Sequence, residues 1–246
     1  SSTDFFEKIR AAREAFQPGA HEAGLLNWGA PINPDREIDA TLPDLIARYL
    51  KHLLAQSEHS LLKFVRAYSK VPSLLELEPD LALIHIVRDP RAVVTSFLFG
   101  KRRRHANHFT DSASFFEFRG ETPGPRHLQA LALADRLIER HLVECSPDAP
   151  SFMKLLALWG FHYTSTSRDL PPHALTIRHE DLLRDPHASL DRIDAILDRP
   201  LTIDARTWLD THLDTRQRIF EPTNPHWHHA LLELGLDTIV CDAGYP

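Results

Sequence analysis

Between positions 81 and 96 the chain reads Leu81-Ala-Leu-Ile-His-Ile-Val-Arg-Asp-Pro-Arg-Ala-Val-Val-Thr-Ser96. The first half is apolar and β-branched, which is typical of a strand buried on both faces of a parallel sheet. Pro90 favours the first turn of a helix, because the N–H that proline lacks would have no partner there. The segment therefore predicts a strand, a charged turn and a helix. Arg88 ends the strand, and Ser96 lies about two turns into the helix.

The turn between this strand and this helix is a candidate anion site. Open α/β sheets bind ligands at the carboxyl ends of their strands, where helix N-termini offer N–H groups to phosphate. The structural alternative is a salt-bridged helix cap formed by Arg88, Asp89 and Arg91. Both interpretations are compatible with the turn taken alone.

A second segment with cations lies upstream. Leucines and other apolar residues at helical spacing predict a helix within Ala40 to Gln56. The run Leu61-Leu-Lys-Phe-Val-Arg66 then predicts a short strand, followed by a helix that opens at Pro72. The right-handed crossover rule places Leu61–Val65 and Leu81–Val87 parallel in one sheet.

Taken together, these segments resemble the sulfotransferase superfamily. The carbohydrate sulfotransferase branch looks closest, because it shares the Lys-x-x-Arg strand and the Val-Arg-Asp-Pro-Arg-Ala-Val helix start. Two further segments resemble the family: Arg178-His-Glu-Asp-Leu182, in which His179 stands where the family usually has Tyr, and the tail from Trp227 to Gly244-Tyr245. The resemblance extends from about Leu61 to Tyr245.

The resemblance implies an α/β fold: a three-layer sandwich with a central, mostly parallel sheet flanked by helices, as in the P-loop NTPase-like sulfotransferase fold. The length of 246 residues predicts a single domain, residues 1–246. An amphipathic helix is predicted from Ser2 or Thr3 to Phe16. The family has a strand and a 5′-phosphosulfate loop ahead of such a helix, and here that strand and most of the loop are lacking. Either the sequence begins at the tail of that loop, or the chain never had one.

The implied activity is that of a sulfotransferase. Such an enzyme moves a sulfuryl group from 3′-phosphoadenosine 5′-phosphosulfate to a hydroxyl or amine of a small-molecule or carbohydrate acceptor, and it releases 3′,5′-adenosine bisphosphate. The alternative is a non-catalytic sulfotransferase-like domain that binds a nucleotide or a protein. The intact pair Arg88 and Ser96 favours the enzyme, whereas the incomplete loop favours the alternative. A phosphate-loop kinase is disfavoured because Gly-x-x-x-x-Gly-Lys-Ser/Thr does not occur in the sequence.

The resemblance also implies which residues bind the donor. Arg88 and Ser96 match, in type and spacing, the pair that holds the 3′-phosphate. Ser2 and Thr3 match what survives of the 5′ loop, and the segment before Trp227 matches one that closes over the nucleotide. The implied cofactor-binding residues are Arg88, Ser96, Ser2, Thr3, Arg216 and Arg218.

The catalytic residues are less well defined by the sequence. The resemblance puts Lys63 close to the 5′ side of the donor, while a surface cation is the structural alternative. The usual candidate for the base is a Glu-Pro pair, but this chain has Ala30-Pro31 there. The candidate bases are His21 and Glu22 just upstream, with Asp35 and Glu37 just downstream as further carboxylates, and each also fits an ordinary surface residue.

Composition restricts the partners. Acidic residues exceed basic ones by 34 to 28, giving a net charge of −6, which disfavours a broad nucleic-acid surface. Two cysteines are too few for a disulfide framework, and they favour a reducing, cytoplasmic location. The histidines are scattered along the sequence, so no metal site is predicted. No apolar run has transmembrane length, so no membrane association is expected. Sulfuryl transfer requires no metal in principle, and the oligomeric state is left open.

The segment from His105 to Pro125 shows no clear period and is predicted as a long loop. Its phenylalanines either line an acceptor pocket, together with the Gly24–Asn33 region, or pack beneath the loop. Two amphipathic helices are predicted after it, Arg126 to Glu144 and Ala149 to Ser167.

Overall fold

A computed structural model describes residues 2–18, 33–57, 60–64, 67–99, 109, 111–120, 125–197, 202–212 and 219–246. The chain divides into two compact units, Ser1–Leu81 and Ala82–Pro246. The prediction of a single domain stays a prediction.

The first unit is helical in its described part, with α1 (Ser2–Phe16), α2 (Pro34–Ile38), α3 (Asp44–Leu54) and α4 (Val71–Leu77). Its apolar core centres on Ile46, Leu50 and Leu74, and Phe16 packs against them. The apolar stripe on α3 faces this core, which explains why a short helix is stable here. The predicted helix that ends at Phe16 and the helix within Ala40–Gln56 are confirmed.

Buried polar contacts hold α2 in this unit. Glu37 is 2% exposed, and its carboxylate accepts a hydrogen bond from the Tyr68 hydroxyl at 2.7 Å. The ammonium group of Lys70, equally buried, donates to the carbonyl oxygen of Arg36 at 2.8 Å. Burial lowers the pKa of Lys70, and the nearby charges of Asp39 and Glu37 oppose that shift. These contacts satisfy groups that would otherwise be costly to bury.

The strand predicted over Leu61–Val65 is wrong for the residues that can be checked. Residues 60–64 have no regular secondary structure, and the side chain of Leu61 is 91% exposed. Residues 65 and 66 lie outside the described part. A strand needs a neighbour to pair its backbone groups. The run Leu61–Phe64 is not part of a sheet in the described structure.

The second unit contains a parallel pair of strands, β1 (Ile84–Val87) and β2 (Leu175–Arg178). Their register runs from Ile84 opposite Leu175 to Val87 opposite Arg178. The described helices of this unit are α5 (Pro90–Phe99), α6 (Ser112–Phe116), α7 (Pro125–Glu139), α8 (Ser151–Asp169), α9 (His179–Arg184), α10 (Pro186–Asp194), α11 (Ile203–His212), α12 (Pro225–Glu233) and α13 (Asp237–Asp242). The strand, turn and helix around Arg88 are confirmed, but the prediction that this strand is buried on both faces is wrong, because Ile86 is 55% exposed.

The described residues therefore form an α/β protein that is mostly helical, with one small parallel sheet. A three-layer sandwich around a larger sheet is not seen in this part of the chain. Within the ranges above, no helix combines the length and the apolar character needed to cross a membrane.

The core of the second unit is built around α8, which packs against α5 and α7. Phenylalanines from the segment predicted as a loop join this core. Phe115 and Phe116 are buried, and their rings lie 5.7 and 5.2 Å from the ring of Trp227. The packing interpretation of these aromatic residues is therefore favoured over an acceptor pocket. The prediction of a loop is wrong at α6, where Asp111 and Ser114 form a capping box.

Candidate anion site

Arg88 lies where β1 ends, between the strand and α5. Its carbonyl oxygen accepts a hydrogen bond from the indole N–H of Trp159 on α8 at 3.0 Å. The side chain is half-buried, and its Nε is buried without a hydrogen-bond partner in the described part of the chain. Leaving a buried donor unpaired costs about 1–3 kcal/mol, more when the group is charged. A ligand anion is the kind of partner that would remove this cost.

Asp89 forms the helix cap, but with Arg91 rather than Arg88. The Asp89 side chain accepts hydrogen bonds from the backbone N–H of Arg91 at 2.8 Å and from its guanidinium Nη2 at 2.7 Å. This hydrogen bond raises the pKa of Arg91 above its ordinary value. Asp89 thus caps the first turn of α5. An anion at this turn would therefore depend on the Arg88 side chain more than on free N–H groups of the helix.

A buried chain of hydrogen bonds joins the ends of the two strands. The backbone N–H of Asp89 donates to Glu180 Oε1 at 3.1 Å, and Glu180 begins α9 together with His179. The Tyr245 hydroxyl lies 2.6 Å from Glu180 Oε2 and 3.2 Å from the carbonyl oxygen of Val87. Burial, and then the hydrogen bond to Glu180, raise the pKa of Tyr245, so its hydroxyl stays protonated. This network fixes the backbone on both sides of Arg88.

Arg178 at the end of β2 is a structural cation. Its guanidinium makes two hydrogen bonds to the Asp181 carboxylate, at 2.8 and 2.7 Å, and a third to the carbonyl oxygen of Gly244. Arg184 also contacts Asp181, at 2.7 Å. The hydrogen bond from Arg178 is the main cause of a lowered Asp181 pKa. With its guanidinium held in this way, Arg178 is less suited than Arg88 to bind a ligand.

His179 follows Arg178 and has a buried Nδ1 that lacks a hydrogen-bond partner among the described residues. Burial lowers the pKa of His179, the charge of Arg88 lowers it further, and Glu180 acts in the opposite direction. Val87 and Arg178, the residues just before Arg88 and His179, face each other in the register of the sheet. Paired strands lie about 5 Å apart. The two strand ends thus each present a nitrogen that lacks a partner.

Ser96 lies about two turns into α5, as predicted. Its side chain is exposed, and no hydrogen bond joins it to Arg88 in the described structure. Its neighbour Thr95 is buried instead, accepting from the backbone N–H of Phe220 at 3.1 Å and donating to the carbonyl oxygen of Arg91 at 2.7 Å. The role of Ser96 in binding stays a prediction.

Three other predicted site residues lie in the first unit. Lys63 is exposed in the first unit, and Ser2 and Thr3 lie in the first turn of α1. Their roles stay predictions. The predicted residues outside the described part of the chain are His21, Glu22, Arg216 and Arg218.

The sequence reasoning missed two residues of this site. Trp159 lies in the amphipathic helix predicted over Ala149 to Ser167, and its hydrogen bond to the Arg88 carbonyl depends on a residue 71 positions away. Tyr245 was noted only as part of the C-terminal segment that resembles the family. No local sequence signal identifies either contact, because each depends on how α8 or the C-terminal segment packs.

Within the described ranges, no three His, Cys, Asp or Glu side chains lie together as metal ligands would. Cys145 and Cys241 are free thiols. Burial raises the pKa of Cys145 to about 11, so that thiol is protonated at neutral pH and is a poor nucleophile.

Comparison of the chain with protein-family models, with curated proteins and with solved structures finds no match.

Proposed function

We propose that the chain is a sulfotransferase, and that Arg88 binds the 3′-phosphate of 3′-phosphoadenosine 5′-phosphosulfate. The observation that carries this proposal is the buried, unpartnered Nε of Arg88 at the end of a parallel strand. The resemblance of the surrounding sequence to sulfotransferases agrees with it. The acceptor is a hydroxyl or amine of a small molecule or carbohydrate.

The proposal includes the fold of that family, a three-layer sandwich with a central, mostly parallel sheet. It also includes the division of roles among the candidate residues. Ser96 would assist Arg88 at the 3′-phosphate, together with Arg216 and Arg218. Ser2 and Thr3 would contact the 5′ side of the donor.

Sulfuryl transfer requires the acceptor oxygen or nitrogen, the sulfur and the leaving phosphate to lie in line. Negative charge grows on the leaving 5′-phosphate, and a cation there lowers the barrier. Lys63 is proposed for that role. A general base, His21 or Glu22, would take the proton from the acceptor. No metal is part of this proposal.

Equilibrium binding tests the proposal without knowledge of the acceptor. Isothermal titration calorimetry should show tighter binding of 3′,5′-adenosine bisphosphate than of 5′-AMP, because only the former carries the 3′-phosphate. Arg88→Ala should weaken bisphosphate binding by about 2–4 kcal/mol, since it removes a charge-assisted partner from a partly buried anion. That loss corresponds to a dissociation constant raised about 30-fold to 800-fold.

A matched control is Arg168→Ala, which removes an exposed arginine paired with Asp169 in the same unit. This variant should bind the bisphosphate as the wild type does. Equal affinities for the bisphosphate and 5′-AMP, or an Arg88→Ala variant that binds normally, would refute the proposed donor site.

Transfer itself separates the enzyme from the non-catalytic alternative. The assay follows radiolabelled sulfate from the donor to a panel of sugars, phenols, alcohols and amines. Transfer to any acceptor above the rate of the Arg88→Ala variant supports the enzyme. Bisphosphate binding without transfer to any acceptor class would favour the nucleotide-binding domain.

A further inference from the structure

We propose that His179 shares the bound anion with Arg88 and takes up a proton when the anion binds, so that the site binds more tightly at lower pH. This inference rests on the proposed function, because it concerns the same site. It adds a second group to the site and a proton to the binding reaction.

The geometry at the strand ends is the first support. Val87 and Arg178 face each other in the parallel sheet, and the next residue of each chain segment is Arg88 or His179. Each of these two side chains has one buried nitrogen, Nε or Nδ1, that lacks a hydrogen-bond partner in the described structure. Two unsatisfied nitrogens at neighbouring strand ends are accounted for together if a single acceptor binds both.

Burial and the charges around the ring set its protonation state in the free protein. Burial lowers the pKa of His179 most, the charge of Arg88 lowers it further, and Glu180 raises it. The ring is therefore mostly neutral at neutral pH when the site is empty. A bound dianion would offset the charge of Arg88 and give the imidazolium a direct partner. Its pKa would rise, and the proton that this requires comes from solvent to a ring nitrogen.

Apart from His85 on β1, whose buried Nδ1 lacks a partner in the described structure and whose pKa is lowered by burial, the other titratable groups on the elements packed against His179 already have partners. These pairs are Asp89 with Arg91, Asp181 with Arg178 and Arg184, Tyr245 with Glu180, Asp185 with the backbone of Ala188, His187 with Asp210, Asp191 and Asp194 with Arg206, and Arg192 with the carbonyl oxygen of Thr176. Arg88 is thus a charge next to the ring whose buried Nε lacks a hydrogen-bond partner in the described structure.

Inorganic sulfate is the probe, because its charge stays constant between about pH 5.5 and pH 8, where a histidine titrates. The dissociation constant of sulfate is measured across this range for the whole chain. Affinity should be flat below the pKa of the free ring, fall by up to about tenfold per pH unit above it, and level off above the pKa of the complex. Sulfate should thus bind about tenfold more tightly near pH 6 than near pH 8.

Two variants and one control isolate the ring. His179→Asn and His179→Gln keep a polar side chain but cannot titrate, so sulfate binding to either should be nearly independent of pH. The control is His173→Gln, which changes an exposed histidine of the same unit and should keep the pH dependence. Circular dichroism and thermal unfolding check that each variant is folded. If both His179 variants unfold, the inference is tested on the wild type. NMR titration of its His179 ring should then show a higher pKa with sulfate than without it.

The outcomes distinguish this inference from the proposed function. Sulfate binding that does not vary with pH, variants that keep the pH dependence, or a His179 pKa unchanged by sulfate would overturn the inference alone. Failure of sulfate to bind the wild type would overturn it as well. The proposed function falls only if 3′,5′-adenosine bisphosphate also fails to bind, or binds without any contribution from Arg88.

Discussion

The substitution Tyr245→Phe tests whether the hydrogen-bond network behind Arg88 stabilises the second unit. Tyr245 is 5% exposed, and its hydroxyl lies 2.6 Å from a Glu180 carboxylate oxygen. Phenylalanine keeps the ring, so the cavity it leaves is small. The loss is one hydrogen bond to a charged group, which is worth about 1.5–3 kcal/mol. For a unit of this size, that loss lowers the melting temperature by roughly 3–12 °C.

Urea denaturation and thermal unfolding, both followed by circular dichroism, measure this effect. The matched control is Tyr163→Phe on α8. Tyr163 stacks on Trp159 at 5.3 Å between ring centroids, but its hydroxyl has no hydrogen bond in the described structure. The control should change stability by less than about 0.5 kcal/mol. A Tyr245→Phe variant within that same limit would refute the role given to the network.

The raised pKa of Tyr245 adds a pH dependence with a definite sign. Because the folded-state pKa lies above the ordinary value of about 10, the contribution is complete below about pH 10. It is lost as the pH rises through the folded-state pKa. Wild-type stability should therefore fall more steeply in alkali than that of Tyr245→Phe, and equal alkaline slopes would contradict the assignment.

Three further predictions follow from the same structure and from the proposed reaction. Gly244→Ala should destabilise the protein in urea by about 1 kcal/mol or more, because φ is +83°, a backbone conformation that is strained for a residue with a Cβ; an unchanged midpoint would contradict this. Asp181→Asn should flatten the acid limb of the stability curve, because the lowered pKa of Asp181 gives a contribution that is present above about pH 4 and lost as the pH falls through the folded-state pKa. An acid limb identical to that of the wild type would count against the ion pair. Lys63→Ala should lower kcat more than it weakens bisphosphate binding. Unchanged turnover would indicate that Lys63 is an ordinary surface cation.

The local signals in the sequence predict much of the fold. The apolar run before Arg88, the proline after it and the helical stripes of α3, α7 and α8 all depend on residues close in sequence, and each of these elements is present. The short helix α6 was missed although Asp111 and Ser114 provide a capping box. The strand at Leu61–Val65 failed in its described part because strand formation depends on a distant pairing partner, which local pattern cannot supply.

In the candidate site, too, contacts between residues close in sequence could be predicted, whereas contacts with distant residues could not. The role of Arg88 as an anion ligand stays a prediction, and the cap that was its structural alternative forms between Asp89 and Arg91, without Arg88. Which arginine pairs with Asp89 could not be predicted, because Trp159 and Glu180, both more than 70 residues away, hold the backbone around Arg88. The structure shows the cap with Arg91 and an unpartnered nitrogen on Arg88 together, so the two interpretations are not exclusive.

The most direct test of the proposed anion site observes the Nε–H group of Arg88 itself. Its proton–nitrogen NMR signal can be assigned by its absence in Arg88→Lys, and 3′,5′-adenosine bisphosphate is then titrated into the wild type. The proposal predicts that this signal moves to the frequency of a phosphate-bonded N–H at saturation, while 5′-AMP leaves it unchanged. An Arg88 signal that does not respond to saturating bisphosphate would contradict the central claim that the end of β1 is a phosphate site.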